Sequence, residues 1–277
     1  MFPGIYDFHW DAGHIIFLGI FYTVLAIVLG TIVIATRRAV RDFRSQRAGA
    51  LRWHADFEDL PDKWRRCRHE LTGEVASRIC PNAFYCRECS EHPKFVAART
   101  ATTLPQTGER RVAGFEVPAD RLYHRGHTWV RQEEHGVLTV GLDDLGAHLL
   151  GTPDEVRLPK VGTRVVTNGT GWRAEKNGVT VRVLSPIDGE VVDVGGPDKG
   201  WYLKIKTDGD RVDTRHLLTV TEAKQWMLRE VERLQTSLSA DGVGAALADG
   251  GMPVEDLTMA IPAGQRDAVL GLMFLNA

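Results

Sequence analysis

The chain has 277 residues, with 34 lysines and arginines against 36 aspartates and glutamates, a net charge of −2. That balance offers no strongly basic surface for nucleic acid, and the length accommodates one or two domains with extensions. Mean hydropathy of −0.18 describes a mostly water-facing polymer, so any membrane segment must be local.

The local segment is Ile15 to Ala35, 21 consecutive uncharged residues. At about 1.5 Å rise per residue it spans a hydrocarbon core about 30 Å thick. A cleaved signal peptide needs a basic leader and a shorter apolar run; Met1 to His14 carries no Lys or Arg, and this run is too long. Arg37, Arg38, Arg41, Arg44, Arg47 and Arg52 follow the span, whereas Asp7 and Asp11 precede it. The positive-inside rule therefore expects everything after Ala35 in the cytoplasm and the N-terminus outside. The expected setting is the bacterial inner membrane, in contact with its lipids and with other subunits of an integral membrane complex. Expected sections are an outer interfacial segment at 1–14, a transmembrane helix at 15–36, and a basic juxtamembrane helix and linker at 37–60. His9 and His14 read as headgroup-level histidines, since one helix supplies neither a second haem ligand nor a pocket.

All four cysteines fall within 23 residues: Cys67, Cys80, Cys86 and Cys89, spaced C-x12-C-x5-C-x2-C. Cytosolic thiols stay reduced, so disulfides are not expected. Four thiolates suit a tetrahedral zinc ion or an iron–sulfur cluster, and the sequence leaves that choice open. Residues 61–96 are expected to form this four-cysteine module, with His69 and His92 as spare donors. Buried, reduced cysteines are the plain alternative. Residues 97–119 read as an extended linker, rich in Thr, Ala and Arg and broken by Pro105, Gly108 and Gly114.

From Arg121 to Lys206 the pattern turns to short β runs. Val137–Val140, Thr163–Val166, Thr180–Leu184, Glu190–Val194 and Tyr202–Lys206 are strand-like. Asn177-Gly178 and Asp188-Gly189 stand between them as hairpin dipeptides, because a type I′ turn requires positive φ at both central residues. One helical insert, Asp143 to Leu150, is closed by Gly151.

Particular residues carry this further. Tyr123-His124-Arg125-Gly126-His127-Thr128-Trp129-Val130, Gly141-Leu142, Leu150-Gly151, Val156-Arg157-Leu158-Pro159, Gly162, Ala174-Glu175, Ser185-Pro186-Ile187-Asp188-Gly189-Glu190-Val191 and Gly200-Trp201-Tyr202-Leu203-Lys204-Ile205 occur in an order that resembles the H protein of the glycine cleavage system. The resemblance covers roughly a third of the chain. It implies a lipoyl-domain-like flattened β-barrel (barrel-sandwich hybrid) over 120–220, with a swinging-arm lysine on a hairpin tip. The whole is then a single-pass membrane helix joined to a cytoplasmic α+β part. His127 occupies the family's His-x-Trp position and reads as structural.

The departure from the resemblance is at the arm. Counting back from Ser185-Pro186, the lipoylated lysine falls at position 178, which holds Gly178. Glycine has no amine to acylate. Lys176 lies two residues earlier on the entering strand and reads as a solvated hairpin lysine, with lipoylation there only as an alternative. Lipoate is thus not expected as a cofactor.

Residues 221–277 are expected to hold C-terminal helices and a tail. Thr221 is the expected N-cap of a helix whose apolar stripe is Met227, Val231, Leu234 and Leu238, packed on the β domain. Asp241 to Gly251 is Gly- and Ala-rich. Leu270 to Leu275 is apolar enough for either a docking surface or internal burial. There is no Gly-rich phosphate loop, G-x-S-x-G elbow or H-E-x-x-H helix, and His124, His127 and His135 cluster without a legible nucleophile. The expected role is a non-catalytic accessory or electron-relay subunit of a membrane-bound respiratory or redox complex. The rivals are a tethered lipoyl carrier using Lys176 and a zinc-stabilised structural adaptor.

Overall fold

The computed structural model describes residues 11–44, 47–98, 110–133, 136–209, 212–239 and 254–276. His9, His135 and the Gly-rich stretch 241–251 lie outside them. The chain divides into two units, Met1–Arg44 and Ser45–Ala277.

The first unit is helix α1 (Ala12–Arg44). Its stretch Ala12–Arg41 is long and apolar enough to cross a membrane, with a mean hydropathy of 2.6 in its most apolar window. Phe17, Ile20 and Ile27 are exposed along it. Its threonines return their hydroxyls to the helix: Thr23, Thr31 and Thr36 donate to the carbonyls of Gly19, Val28 and Ile32 at 2.7–2.8 Å. These hydroxyls need no water, which is what an apolar solvent demands.

The second unit opens with α2 (Arg47–Asp59), followed by the cysteine-bearing segment, which ends in the short helix α3 (His92–Ala98). Trp53, Phe57 and Leu60 bury themselves against Ala83, Phe84 and Tyr85. Residues 110–118, expected as linker, contain a small hairpin of β1 (Arg111–Val112) and β2 (Phe115–Glu116), held down because Phe115 and Val117 are buried in the main core.

Two antiparallel sheets then curl over one core as a lipoyl-domain-like half-barrel. The larger comprises β3 (Leu122–His124), β4 (Thr128–Gln132), β5 (Val137–Leu142), β7 (Arg164–Val165), β10 (Gly189–Gly196) and β11 (Trp201–Lys206), in the order β3-β4-β5-β11-β10-β7. The smaller is β6-β8-β9, formed by β6 (Glu155–Arg157), β8 (Thr170–Lys176) and β9 (Val179–Leu184). Inward residues of the first, Leu138, Val140, Val191, Leu203 and Ile205, meet Trp172, Ala174, Val181 and Val183 of the second. Trp172 and Tyr202 stack across the sheets with ring centroids 4.7 Å apart.

Of the two expected hairpins, one forms. Asn177 and Gly178 have φ of 50° and 79° and join β8 to β9. Asp188-Gly189 instead carries the chain from the small sheet to the large one, because β9 pairs with β8 while β10 pairs with β11 and β7. The Asp188 carboxylate makes this crossover: it accepts from the Thr167 amide at 2.6 Å and pairs with Arg87 at 2.7 Å. A Gly-containing dipeptide fixes a backbone shape without fixing which sheet follows it.

The insert α4 (Asp144–Leu150) is capped by Asp143, whose carboxylate accepts from the Gly146 amide at 2.7 Å. Helix α5 (Val220–Ser239) starts earlier than expected. Its cap is Thr219, not Thr221: Thr219 N–H and Oγ1 both donate to Glu222 Oε2, at 2.8 and 2.9 Å, a capping box. The stripe Met227, Val231, Leu234 and Leu238 is buried as expected. The chain finishes with α6 (Leu257–Ala260) and α7 (Arg266–Met273). Leu270, Met273, Phe274 and Leu275 are buried, so the apolar end packs within the unit.

Candidate functional site

Two places hold chemistry. The first is the β8–β9 hairpin. At its tip Gly178 is exposed, and a Cβ built there meets no atom within 4 Å. Lys176 differs from the solvated lysine expected from sequence. It is buried, donates to the Thr152 carbonyl at 2.7 Å and pairs with Asp256 Oδ2 at 2.8 Å. The reason is tertiary: the segment leading into α6 lies beside α4 and brings Asp256 over the strand. Gly151 makes room for it. Its φ of 54° suits glycine, and a Cβ there would stand 2.5 Å from Asp256 Cγ. An amine with two oxygen partners and little solvent contact is a poor target for acylation.

The second place is the cysteine segment. Antiparallel pairing of Arg66 with Ile79 closes the twelve-residue excursion as a hairpin: Cys67 N–H donates to Arg78 O at 2.8 Å and Cys80 N–H to Arg65 O at 2.6 Å. Cys67 and Cys80 thereby become diagonal neighbours on one face. Cys86 and Cys89 bracket a single 3-10 turn, with Cys89 N–H donating to Cys86 O at 3.3 Å. All four cysteines line one cavity of about 20 Å³. Among the described residues, no three or more His, Cys, Asp or Glu side chains converge closely enough to hold an ion as placed. Burial pushes the Cys67 thiol up, and the Cys86 thiol up to about 11. His69 and His92 line the same cavity but bond each other, Nε2 to Nδ1 at 2.9 Å, with Glu74 on the far nitrogen of His69 at 3.3 Å.

The segment is fastened to the β unit by polar contacts that local sequence pattern does not reveal. Arg68 Nη2 pairs with buried Glu222 at 2.5 Å. Burial alone would raise the Glu222 carboxyl, but Arg68 and the Thr219 groups hold it down at about 2. Tyr85 Oη donates to Thr167 O at 2.7 Å, and Asn168 Nδ2 to Ala83 O at 3.2 Å. Arg125 reaches into the segment and donates to the Arg66 carbonyl, with its guanidinium 4.1 Å from the Phe84 ring centre. Arg125 is visible in sequence only as part of the Tyr-His-Arg-Gly-His run. Asp256 has no local signal, because its partner is remote in the chain.

The clustered histidines separate by charge. His124 Nε2–H donates to Asn168 Oδ1 at 2.8 Å while Nδ1 accepts from the Gly126 amide, and burial followed by His216 drives its pKa down to about 3. His127 is equally buried, yet Asp143 at 3.0 Å and Glu230 at 3.8 Å outweigh burial and raise it to about 9. Its ring lies 5.0 Å from that of Trp226 on α5. A histidine locked as a cation between two carboxylates joins β4 to α4 and α5, as expected of a structural residue.

Such a fold, with its hairpin presented at the edge of a small sheet, is that of lipoyl-type carrier domains. The family model "Glycine cleavage H-protein" matches residues 121–230. The glycine cleavage system H protein of Edwardsiella ictaluri is 34% identical over 105 residues, 33% of this chain and 82% of that protein. That of Alteromonas mediterranea is 37% identical over 115 residues, 37% of this chain and 88% of that protein. A crystal structure of the H protein from Mycobacterium marinum aligns with TM-score 0.32 and 23% identity, over 38% of this chain and 94% of that one. Through this domain the chain belongs to the glycine cleavage H-protein family. The cysteine segment and α1 lie outside the matched residues.

Proposed function

We propose that the chain is a membrane-anchored, non-catalytic H-protein-like subunit, accessory to a membrane-bound redox complex, whose H-like domain docks to partners without carrying a lipoyl arm. The carrying observation is the β8–β9 hairpin: position 178 is glycine, and the neighbouring amine of Lys176 is buried against Asp256 and Thr152 O. Helix α1 supplies the anchor in this reading, and the arginines after it keep the domain in the cytoplasm. The chain's own cofactor is then held by Cys67, Cys80, Cys86 and Cys89, as zinc or an iron–sulfur cluster, rather than by a lysine.

The test is intact mass of the full chain co-expressed with a lipoate ligase and supplied with lipoate. The wild-type chain should show no lipoyl increment. Gly178→Lys, which places an amine in open space at the tip, should acquire one. A wild-type peptide carrying lipoyl-Lys176 would overturn the reading and leave a tethered carrier in its place.

A further inference from the structure

The cysteine cavity carries more than the choice between two metals. Two of its cysteines come from one hairpin and two from one 3-10 turn, so two short backbone pieces present two sulfurs each. That is the donor set of a closed tetrahedral site. Of its three histidines, His69 and His92 bond each other, and His216 Nε2 donates to the Pro186 carbonyl at 2.6 Å. The space is also small. A cavity of about 20 Å³ holds one water-sized body, for which about 10–15 Å³ suffices. A four-iron cube with its bridging sulfides is far larger than one atom and would have to force the segment open.

The charge around the cavity points the same way. Arg68 and Arg125 both line it and both are buried. Arg68 is answered by Glu222. Among the described residues, Arg125 donates to a neutral carbonyl and lies over a ring; the charges that favour it are Glu230, which His127 and Arg233 already share, and the sulfurs of Cys80, Cys86 and Cys67. A buried guanidinium facing neutral thiols is costly; one facing thiolates is compensated. A further strain needs holding: Ala83 and Phe84, just before Cys86, both have positive φ, 44° and 59°. Left-handed backbone is disfavoured for an L-residue, and here two such residues stand in succession.

We propose that Cys67, Cys80, Cys86 and Cys89 close on a single zinc-class divalent ion, and that Arg125 of the H-like domain neutralises the resulting anionic site, so that the ion fastens the cysteine segment to the β unit. Four thiols release their protons to water, and four thiolates on a divalent ion leave a net charge of about −2. Rotation about each Cα–Cβ bond turns the sulfurs inward on the ion, while the backbone frame already surrounds the cavity. The proposal rests on the cysteine part of the functional reading and is independent of its docking part, which is read by lipoyl mass and not by metal.

The full chain, purified in mild detergent, is assayed for zinc and iron, then stripped and reloaded with Co²⁺. The expected result is about one zinc per chain, no visible absorption from iron, and Co²⁺ spectra of a tetrahedral thiolate site. Cys89, like Cys86, is only half-buried, so Cys89→Ser should disturb the fold less than replacing Cys67 or Cys80. It should lower the thiolate-to-cobalt band by about a quarter, as loss of one of four sulfurs requires. Arg125→Met should speed metal loss to a chelator about tenfold, which is about 1.4 kcal/mol. Iron with acid-labile sulfide overturns the single-ion site, and iron without sulfide overturns its assignment to a zinc-class ion; absence of both metals with four freely titratable thiols overturns any site. An unchanged cobalt band in Cys89→Ser removes that ligand, and an unchanged release rate in Arg125→Met removes the clamp.

Discussion

The β8–β9 hairpin and the cysteine segment are opposites. The hairpin lies inside the region shared with glycine cleavage H proteins, yet its tip is glycine and its one nearby amine is tied to Asp256. The cysteine segment lies outside that region and brings four thiols, His69, His92 and the buried Arg68 to one cavity, which Arg125 and His216 of the shared region close. On the proposed reading the shared fold is a support and the chemistry stands on what was added to it, so that fold and function separate along the chain.

The largest expected effect comes from breaking the join between the two. Arg68 links the cysteine segment to α5 through Glu222, with both partners buried. Arg68→Met leaves a desolvated carboxylate without its cation, and removal of one partner of a buried pair costs about 3–5 kcal/mol. Urea unfolding of the full chain should show this as a lowered midpoint. The sign of the pH dependence follows from Glu222. Its folded pKa is depressed from 4.5 to about 2, so its contribution is present above 4.5 and lost as pH falls toward about 2. Arg68→Met should flatten that acid limb. An unaltered midpoint would mean that the two regions are held together by something else.

His127 gives the next effect, inside the shared domain. Its pKa is raised from 6.5 to about 9, so its stabilisation is complete below 6.5 and is lost as pH rises through about 9. His127→Gln keeps the volume but loses the cation, and should cost about 2–3 kcal/mol near about pH 6 and less in alkali. Denaturation midpoints across that range check it. A variant that lost equal stability at both ends would show that packing against Trp226, not charge, is what His127 supplies.

How much of this is legible in the sequence depends on range. The strands, the Asn177-Gly178 turn and the α5 stripe follow from local pattern, because alternation, positive φ and helical spacing are written in neighbouring residues. Asp188-Gly189 misleads because its backbone preference is local but the sheet it feeds is not. Thr221 reads as the cap of α5 although Thr219-Val220-Thr221-Glu222 carries the capping-box spacing, so that miss has a signal. Lys176 has none: its burial depends on Asp256, and no periodicity links a strand to a segment so far along the chain. The four cysteines are legible as a group through spacing alone. Arg125, buried beside them, is hidden inside a motif that accounts for it otherwise.

Gly151 tests how the hairpin lysine is kept from solvent. Gly151→Ala places a side chain at φ 54° and sets its Cβ 2.5 Å from Asp256 Cγ. The left-handed backbone alone costs about 1–2 kcal/mol, and displacement of Asp256 adds to it, so about 2 kcal/mol is expected. Hydrogen exchange should quicken in 254–261 and leave the large sheet unchanged. Uniform exchange across both regions would mean the glycine matters only for its backbone.

The smallest effect sharpens the comparison most. In Lys176→Met the strand keeps a side chain of similar length, and the freed Asp256 carboxylate, 27% exposed, can turn to water. A half-open ion pair is worth little, so the cost should be about 1 kcal/mol. The useful readout is elsewhere. If the pair exists to hold the α6 segment against the hairpin, amide exchange at Leu257 to Ala260 should rise several-fold while melting barely changes. Asp256→Asn should do the same from the other side, and it additionally leaves the Lys176 ammonium with neutral acceptors only. Exposed to ligase and lipoate, Asp256→Asn should still remain unmodified, because Lys176 stays on the strand and off the tip. Lipoylation appearing in that variant alone would show that the salt bridge, and not the glycine at 178, is what silences the arm.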